Sequence, residues 1–200
     1  MSAVVAIKAN GRFYIAADKM RKRLDFYWRV NDEFNFKIHR LKNGIIVGAV
    51  GPLSQSQKLY LNESWFNTPK GVAFDKKFIV TSILPKYTEV LRKFNLFESE
   101  EDDDPVVPRI SASFIIANGE DAFLIDNTLG VFVIKDYAAI CDDGQSGVFE
   151  NLEYVLDKSD PEKYLVETFK KASETLSNIL PEIIVIDTVN TEFRLHGGSK

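Results

Sequence analysis

The chain has 200 residues, 45% of them hydrophobic and 27% charged, enough for one domain with a sizeable core. Its 25 basic and 29 acidic residues give a net charge of −4 without a broad basic stripe, which argues against nucleic acid as a partner. The single cysteine, Cys141, excludes an intramolecular disulfide, two histidines (His39 and His196) beside it argue against a zinc site, and no apolar run reaches membrane-spanning length.

The N-terminus lacks the basic and apolar regions of a signal peptide, so the expectation is a cytoplasmic protein without metal or cofactor. Residues 2–18, SAVVAIKANGRFYIAAD, hold two apolar runs around Asn10-Gly11. Asn-Gly between β-type runs predicts a hairpin with a type I′ turn, because that turn needs φ > 0 at both central positions. If the initiator methionine is removed, Ser2 becomes a free N-terminus carrying a hydroxyl and an α-amine at the start of a buried strand. The return strand ends in a carboxylate, Asp18.

Residues 19–35, KMRKRLDFYWRVNDEFN, show little periodicity and read as a loop. Their basic cluster Lys19, Arg21, Lys22 and Arg23 is either a solvated face or a patch for a phosphate or a partner. FKIHRL then alternates as a half-buried strand, Asn43-Gly44 marks a turn, and IIVGAVG reads as a strand covered on both faces. This strand is expected to share a sheet with the N-terminal hairpin. Gly48 and Gly51 within it serve either close packing or a backbone N–H aimed at a developing oxyanion.

Pro52 can open a helix with Leu53, Leu59 and Tyr60 on its apolar side. Ile83, Tyr87, Val90, Leu91 and Phe94 recur at helical spacing and predict a second helix from about Ile83. Both helices should cover one sheet face. Residues 98–104, ESEEDDD, read as a surface loop or a cation-binding run. RISASFIIA, AFLID and VFVIK form a predicted meander. YAAIC leads through an Asp/Gly turn into a helix. Ser159-Asp160-Pro161-Glu162 has capping-box form and predicts a helix to about Ser177, followed by the buried strand EIIVID and an edge strand between Val189 and Leu195.

Strands, helices, strands, helices and strands in that grouping argue α+β. Two face-to-face sheets with a helix pair on each outer side would cover all apolar faces: a four-layer αββα sandwich in one domain, 1–200.

The layout and several short motifs resemble the proteasome β-subunit family and its bacterial ring-protease relatives, which are N-terminal-nucleophile hydrolases. That family opens with Thr, an apolar strand, a turn and a second strand ending in Asp; here the matching residues are Ser2 and Asp18. The stretch KIHRLKNGIIVGAVGPLSQSQKL is similar to the family block in which a lysine opens a strand and a glycine closes the next one before a helix. The match makes Lys37 the catalytic lysine and Gly51 the oxyanion-hole glycine, with Gly48 taking that place if the register slips. The family's Gly-Ser-Gly turn, whose serine supports the N-terminal amine, corresponds to a stretch offering Asp142, or Ser146 if the turn is longer. Glu174 and Ser177 keep the three-residue spacing of the family's supporting Asp–Ser pair, with Glu replacing Asp.

The resemblance implies a peptidase acting on polypeptide substrates, assembled with copies of itself in a ring and fed by an ATPase unfoldase. Ser2 would be the nucleophile and its own α-amine, with an intrinsic pKa of about 7.7–8.0, the base. Lys37, neutralised by Asp18, would favour the neutral amine and the alkoxide, and Gly51 N–H would hold the oxyanion. With Met1 attached the amine is an amide and no base. The same layout also suits a catalytically inactive structural or assembly subunit, or an amidase for small molecules.

Overall fold

The computed structural model describes residues 3–23, 26–29, 37–97, 109–141, 159–176, 179–190 and 192–197, the side chains of 20–29 apart. The first two strands, β1 (Ala3–Ala9) and β2 (Arg12–Asp18), form the expected hairpin. Asn10 and Gly11 both have positive φ, 52° and 71°, as a type I′ turn requires. β3 (Met20–Arg23) and β4 (Phe26–Arg29) follow, then β5 (Ile38–Arg40) and β6 (Ile46–Val50), joined through the turn at Gly44, φ 88°. The segment after Asp18 is therefore not all loop. It contains an antiparallel ribbon, which the lack of periodicity in this stretch of sequence did not reveal.

The meander is present as β7 (Ser113–Asn118), β8 (Asp121–Ile125) and β9 (Val131–Ile134). β10 (Tyr137–Cys141), β11 (Ile183–Asp187) and β12 (Arg194–His196) are the remaining strands among the described residues. One five-stranded sheet runs β10–β1–β2–β11–β12, a second runs β5–β6–β7–β8–β9, and β3–β4 pair apart from both. Every pairing among the described residues is antiparallel.

The expectation that β6 shares a sheet with the β1–β2 hairpin is wrong. β10 and β11 occupy the hairpin's two free edges, and β6 instead faces the hairpin across the inter-sheet core. Val4, Ala6, Phe13 and Ile15 of the first sheet pack there against Ile46, Val50, Ile115 and Ala117 of the second. Gly48 lies at this close approach, since a Cβ there would sit 2.6 Å from Val4 Cγ1. Gly48→Ala should therefore cost about 1–3 kcal/mol through overpacking. An unaltered urea midpoint for that variant would contradict the close approach.

The other face of the second sheet, with Val47, Phe114 and Phe123, packs on the helices that follow β6. These are α1 (Leu53–Tyr60), α2 (Lys76–Phe78) and α3 (Leu84–Lys93), with a π-helical stretch, Ile79–Ile83, joining α2 to α3 without a break. The helix thus starts seven residues before the expected Ile83. Asp75 caps it, accepting the Phe78 N–H at 2.7 Å. The π stretch lies just before Pro85, which has no N–H to continue the ladder.

The other face of the first sheet, with Val5, Ala16 and Val185, packs on Leu165, Phe169 and Ala172 of α4 (Pro161–Thr175). The N-cap of α4 is Asp160, which accepts the Lys163 N–H at 3.1 Å, one residue beyond the Ser159 of the expected capping box. Pro161 takes the first helical position. The helix expected after Cys141 and the acidic run 98–104 lie outside the described residues.

Candidate active site

Asp18 is the last residue of β2 and Lys37 immediately precedes β5, so the two belong to different sheets. Sheet stacking brings them together at one end of the inter-sheet core. Lys37 Nζ donates to Asp18 Oδ1 at 2.5 Å, and the Ala3 N–H donates to the same oxygen at 3.0 Å. Asp18 is 2% exposed and Lys37 4%. The Ala49 N–H also donates to the Lys37 carbonyl at 2.8 Å, which fixes the lysine's backbone beside β6.

A buried charge needs a partner, and this pair supplies one to each member. The same carboxylate oxygen holds the first described N–H of β1. Asp18 thereby ties the start of the chain to a buried cation.

Gly51 follows β6 with φ 111°, where an added Cβ would run into the Ser111 carbonyl and lie 2.7 Å from Ala112 Cα. Gly51→Ala should accordingly destabilise the fold by about 2 kcal/mol or more, a cost of strained φ plus backbone contact. Thermal melts of that variant against wild type provide the check. Glu174 lies exposed in the last turn of α4 and makes no hydrogen bond or ion pair to Asp18 or Lys37. Ser2, Asp142, Ser146 and Ser177 lie outside the described residues. Cys141 is partly exposed at the end of β10, directly opposite Ala3 in the ladder.

Two buried carboxylates were not singled out in the sequence. Glu182 precedes β11, and its carbonyl accepts the Lys19 N–H at 3.2 Å, next to the Ile183–Asp18 ladder pair. Asp187, 1% exposed, ends β11 opposite Tyr14, at the other end of that pairing. It accepts from the Asn190 and Val189 N–H groups at 2.7 and 2.9 Å, from Asn190 Nδ2 at 2.9 Å and from Arg194 at 2.9 Å, with Arg12 at 3.4 Å. Burial pushes its carboxyl up, but these donors together outweigh burial and hold it below the ordinary value. The available signal was a carboxylate closing an apolar strand, the pattern that marked Asp18.

Among the described residues, no group of three His, Cys, Asp or Glu side chains could hold a metal ion. No described helix is long and apolar enough to cross a membrane.

No family model matches the sequence, and no curated protein matches it. Solved structures do match by fold. BPH from Thiobacillus denitrificans superposes with a TM-score of 0.68 at 18% identity, over 92% of this chain and 96% of that one. Anbu, an ancestral beta-subunit, from Yersinia bercovieri gives 0.68 at 11% identity over 96% and 86%, and HslV from Trypanosoma brucei 0.63 at 14% over 92% and 98%. The chain therefore has the fold of the proteasome β-subunit and ring-protease group, as its motifs suggested.

Proposed function

We propose that this chain is a proteasome-like N-terminal-nucleophile peptidase subunit that hydrolyses peptide bonds through Ser2 after removal of Met1. One observation carries the reading: a buried Lys37–Asp18 pair whose carboxylate also holds the N–H of Ala3, the residue covalently after Ser2. The three packing clusters support a four-layer αββα arrangement of α1–α3, second sheet, first sheet and α4, within one domain.

In this reading the Ser2 Oγ attacks the scissile carbonyl while the Ser2 α-amine takes its proton. Lys37 keeps the amine neutral and stabilises the developing alkoxide, and Asp18 holds that cation in place. The Gly51 N–H receives the oxyanion. Collapse returns the proton to the leaving amine and leaves an acyl ester on Ser2, which water then hydrolyses. Asp142 and the Glu174–Ser177 pair are assigned to supporting the amine.

Self-association belongs to the same proposal, since Anbu from Pseudomonas aeruginosa is known as a helical assembly. Light scattering at micromolar protein should give a mass well above the 22.7 kDa of one chain. A clean monomer at several salt concentrations would remove the compartment from the proposal, and with it an ATPase unfoldase as partner.

The decisive test starts with intact mass, which establishes whether Met1 is gone. Processed protein is then treated with epoxomicin, with which BPH has been solved in complex. An epoxide next to a ketone offers one carbon to the hydroxyl and another to the amine. Processed wild type should gain the inhibitor's mass, and Ser2→Ala should not. The exposed position of Glu174 favours a second reading, an inactive structural subunit of the same fold. Absence of both adduct and turnover in processed protein would select it.

A further inference from the structure

We infer that β9, the outer strand of the second sheet, pairs with β9 of a second copy about a two-fold axis and joins the two second sheets into one. The inference does not rest on the chemistry at Ser2; it assigns a surface to the proposed self-association. The first observation is a bare edge. β9 lies last in the order β5–β6–β7–β8–β9, with β8 as its strand neighbour. The Asp126 N–H donates to the Gly130 carbonyl at 3.1 Å, which sets the phase of the β8–β9 ladder. Backbone bonds alternate along an antiparallel strand. Phe132 and Ile134 therefore bond inward to Leu124 and Ala122, and Val131 and Val133 turn their N–H and C=O groups outward. Among the described residues nothing pairs with those outward groups.

The second observation is what the edge carries. β9 reads VFVI, with no charge and no proline. Phe132, opposite Leu124, lies on the inter-sheet face and is 52% exposed. Val133, opposite Phe123, lies on the helix face and is 53% exposed. Both faces of this outer strand thus present apolar surface. Edge strands left in water are guarded by charged residues, prolines or bulges. Arg40 on β5 and Arg194 on β12 give two other edges such a charge, and β9 has none. An open groove of about 650 Å³ continues the patch on the helix face, with Val80, Phe123 and Val133 as its apolar lining.

These features specify the occupant. The missing neighbour is a strand with apolar residues on both faces, and β9 supplies such a strand in every copy. The groove also carries both signs of charge, Lys76 and Lys77 on α2 and Asp121 on β8. A two-fold contact sets a patch against itself, so a patch of mixed sign fits and one of a single sign repels. An antiparallel register centred on Phe132 uses the outward groups in full. Val131 of one copy and Val133 of the other exchange both bonds, and the axis repeats the pair. Phe132 meets Phe132 of the second copy as a close, non-hydrogen-bonded pair. Lys135 falls opposite Leu129 of the second copy and away from its own symmetry mate. This pairing uses up the free edge of both chains, so growth along the sheet stops at two copies.

The experiment puts charge on the axis. Full-length Phe132→Lys and Phe132→Glu are prepared separately, and their masses are measured by light scattering at micromolar protein. Each variant opposes like charges across the axis, so its mass should fall to about half the wild-type value or less. An equimolar mixture of the two should recover the wild-type mass, an outcome that misfolding cannot produce. Phe132→Cys in a Cys141→Ser background should form a disulfide between copies on addition of a mild oxidant. A non-hydrogen-bonded antiparallel pair holds its Cα atoms about 4.5 Å apart, within disulfide reach. Wild-type mass retained by both charge variants would overturn the proposal. A mixture that stays at the reduced mass would also overturn it, because β9 would then meet some other surface. A monomeric wild type would do the same. The epoxomicin adduct of processed protein is read independently, so failure of the β9 contact leaves the Ser2 reading standing.

Discussion

Processed Ser2→Ala protein should show no turnover on a panel of fluorogenic peptides while melting at the wild-type temperature. Alanine at position 2 still permits removal of Met1, so the comparison changes one oxygen atom. Loss of a nucleophile that acts with its base as one unit is expected to lower kcat by about a thousandfold or more. Lys37→Met should fall nearly as far, since it takes the cation away from the same unit. It should also destabilise, by about 3–5 kcal/mol, because Asp18 would remain buried opposite an apolar chain. Stability and turnover must therefore be read together: activity is measured at a temperature where the variant is shown to be folded. Asp18→Asn separates the two effects further, keeping an oxygen for the Ala3 N–H while removing the countercharge. Equal activity of wild type and Ser2→Ala would end the hydrolase reading.

Local signals carried much of the fold. Asn10-Gly11 signalled a hairpin because these two residues readily adopt the two positive φ values of a type I′ turn, which matches the twist of the flanking strands. The strands of the meander and the buried strand before Asp187 were legible from apolar runs bounded by turn residues. Pairing partners were not legible. Whether β6 lies beside β1 or opposite it depends on which strands reach the hairpin's edges, and those strands, β10 and β11, come more than 100 residues later. Gly48 carried the missing information, since a glycine in a fully buried strand marks close approach across a core, here to Val4.

The candidate site divides in the same way. Asp18 and Lys37 were named from motif position, and the structure joins them through space, 19 residues apart and on separate sheets. Glu174 was named from spacing alone, and spacing on a helix does not determine whether a residue faces the site or solvent. The Asp187 network was missed because its donors Arg12, Asn190 and Arg194 are scattered in sequence and converge only through β12 and the turn after β11.

That network leads to the second large effect, this one on stability and its pH dependence. Asp187 is nearly inaccessible and accepts backbone and side-chain hydrogen bonds that fix the turn after β11 and hold edge strand β12 through Arg194. Asp187→Ala leaves two backbone N–H groups and two partly exposed guanidinium groups without this acceptor, at an expected cost of about 2–4 kcal/mol. The carboxyl is held below its ordinary value by its donors, so its ionised form is stabilised in the folded chain. The sign follows from linkage. This contribution is fully present above the unfolded carboxyl pKa of about 3.9 and is lost as pH falls through the lower folded value. Wild type should hold its urea midpoint from pH 7 to about 5 and lose stability below about 4. Asp187→Asn should start lower at pH 7 and lose less on acidification, so the two curves converge toward acid. Other carboxylates titrate in the same window, which is why the difference between the proteins is the quantity to measure. A constant offset between wild type and Asp187→Asn from pH 7 to pH 3 would show that the Asp187 charge is not what holds β12 to the sheet.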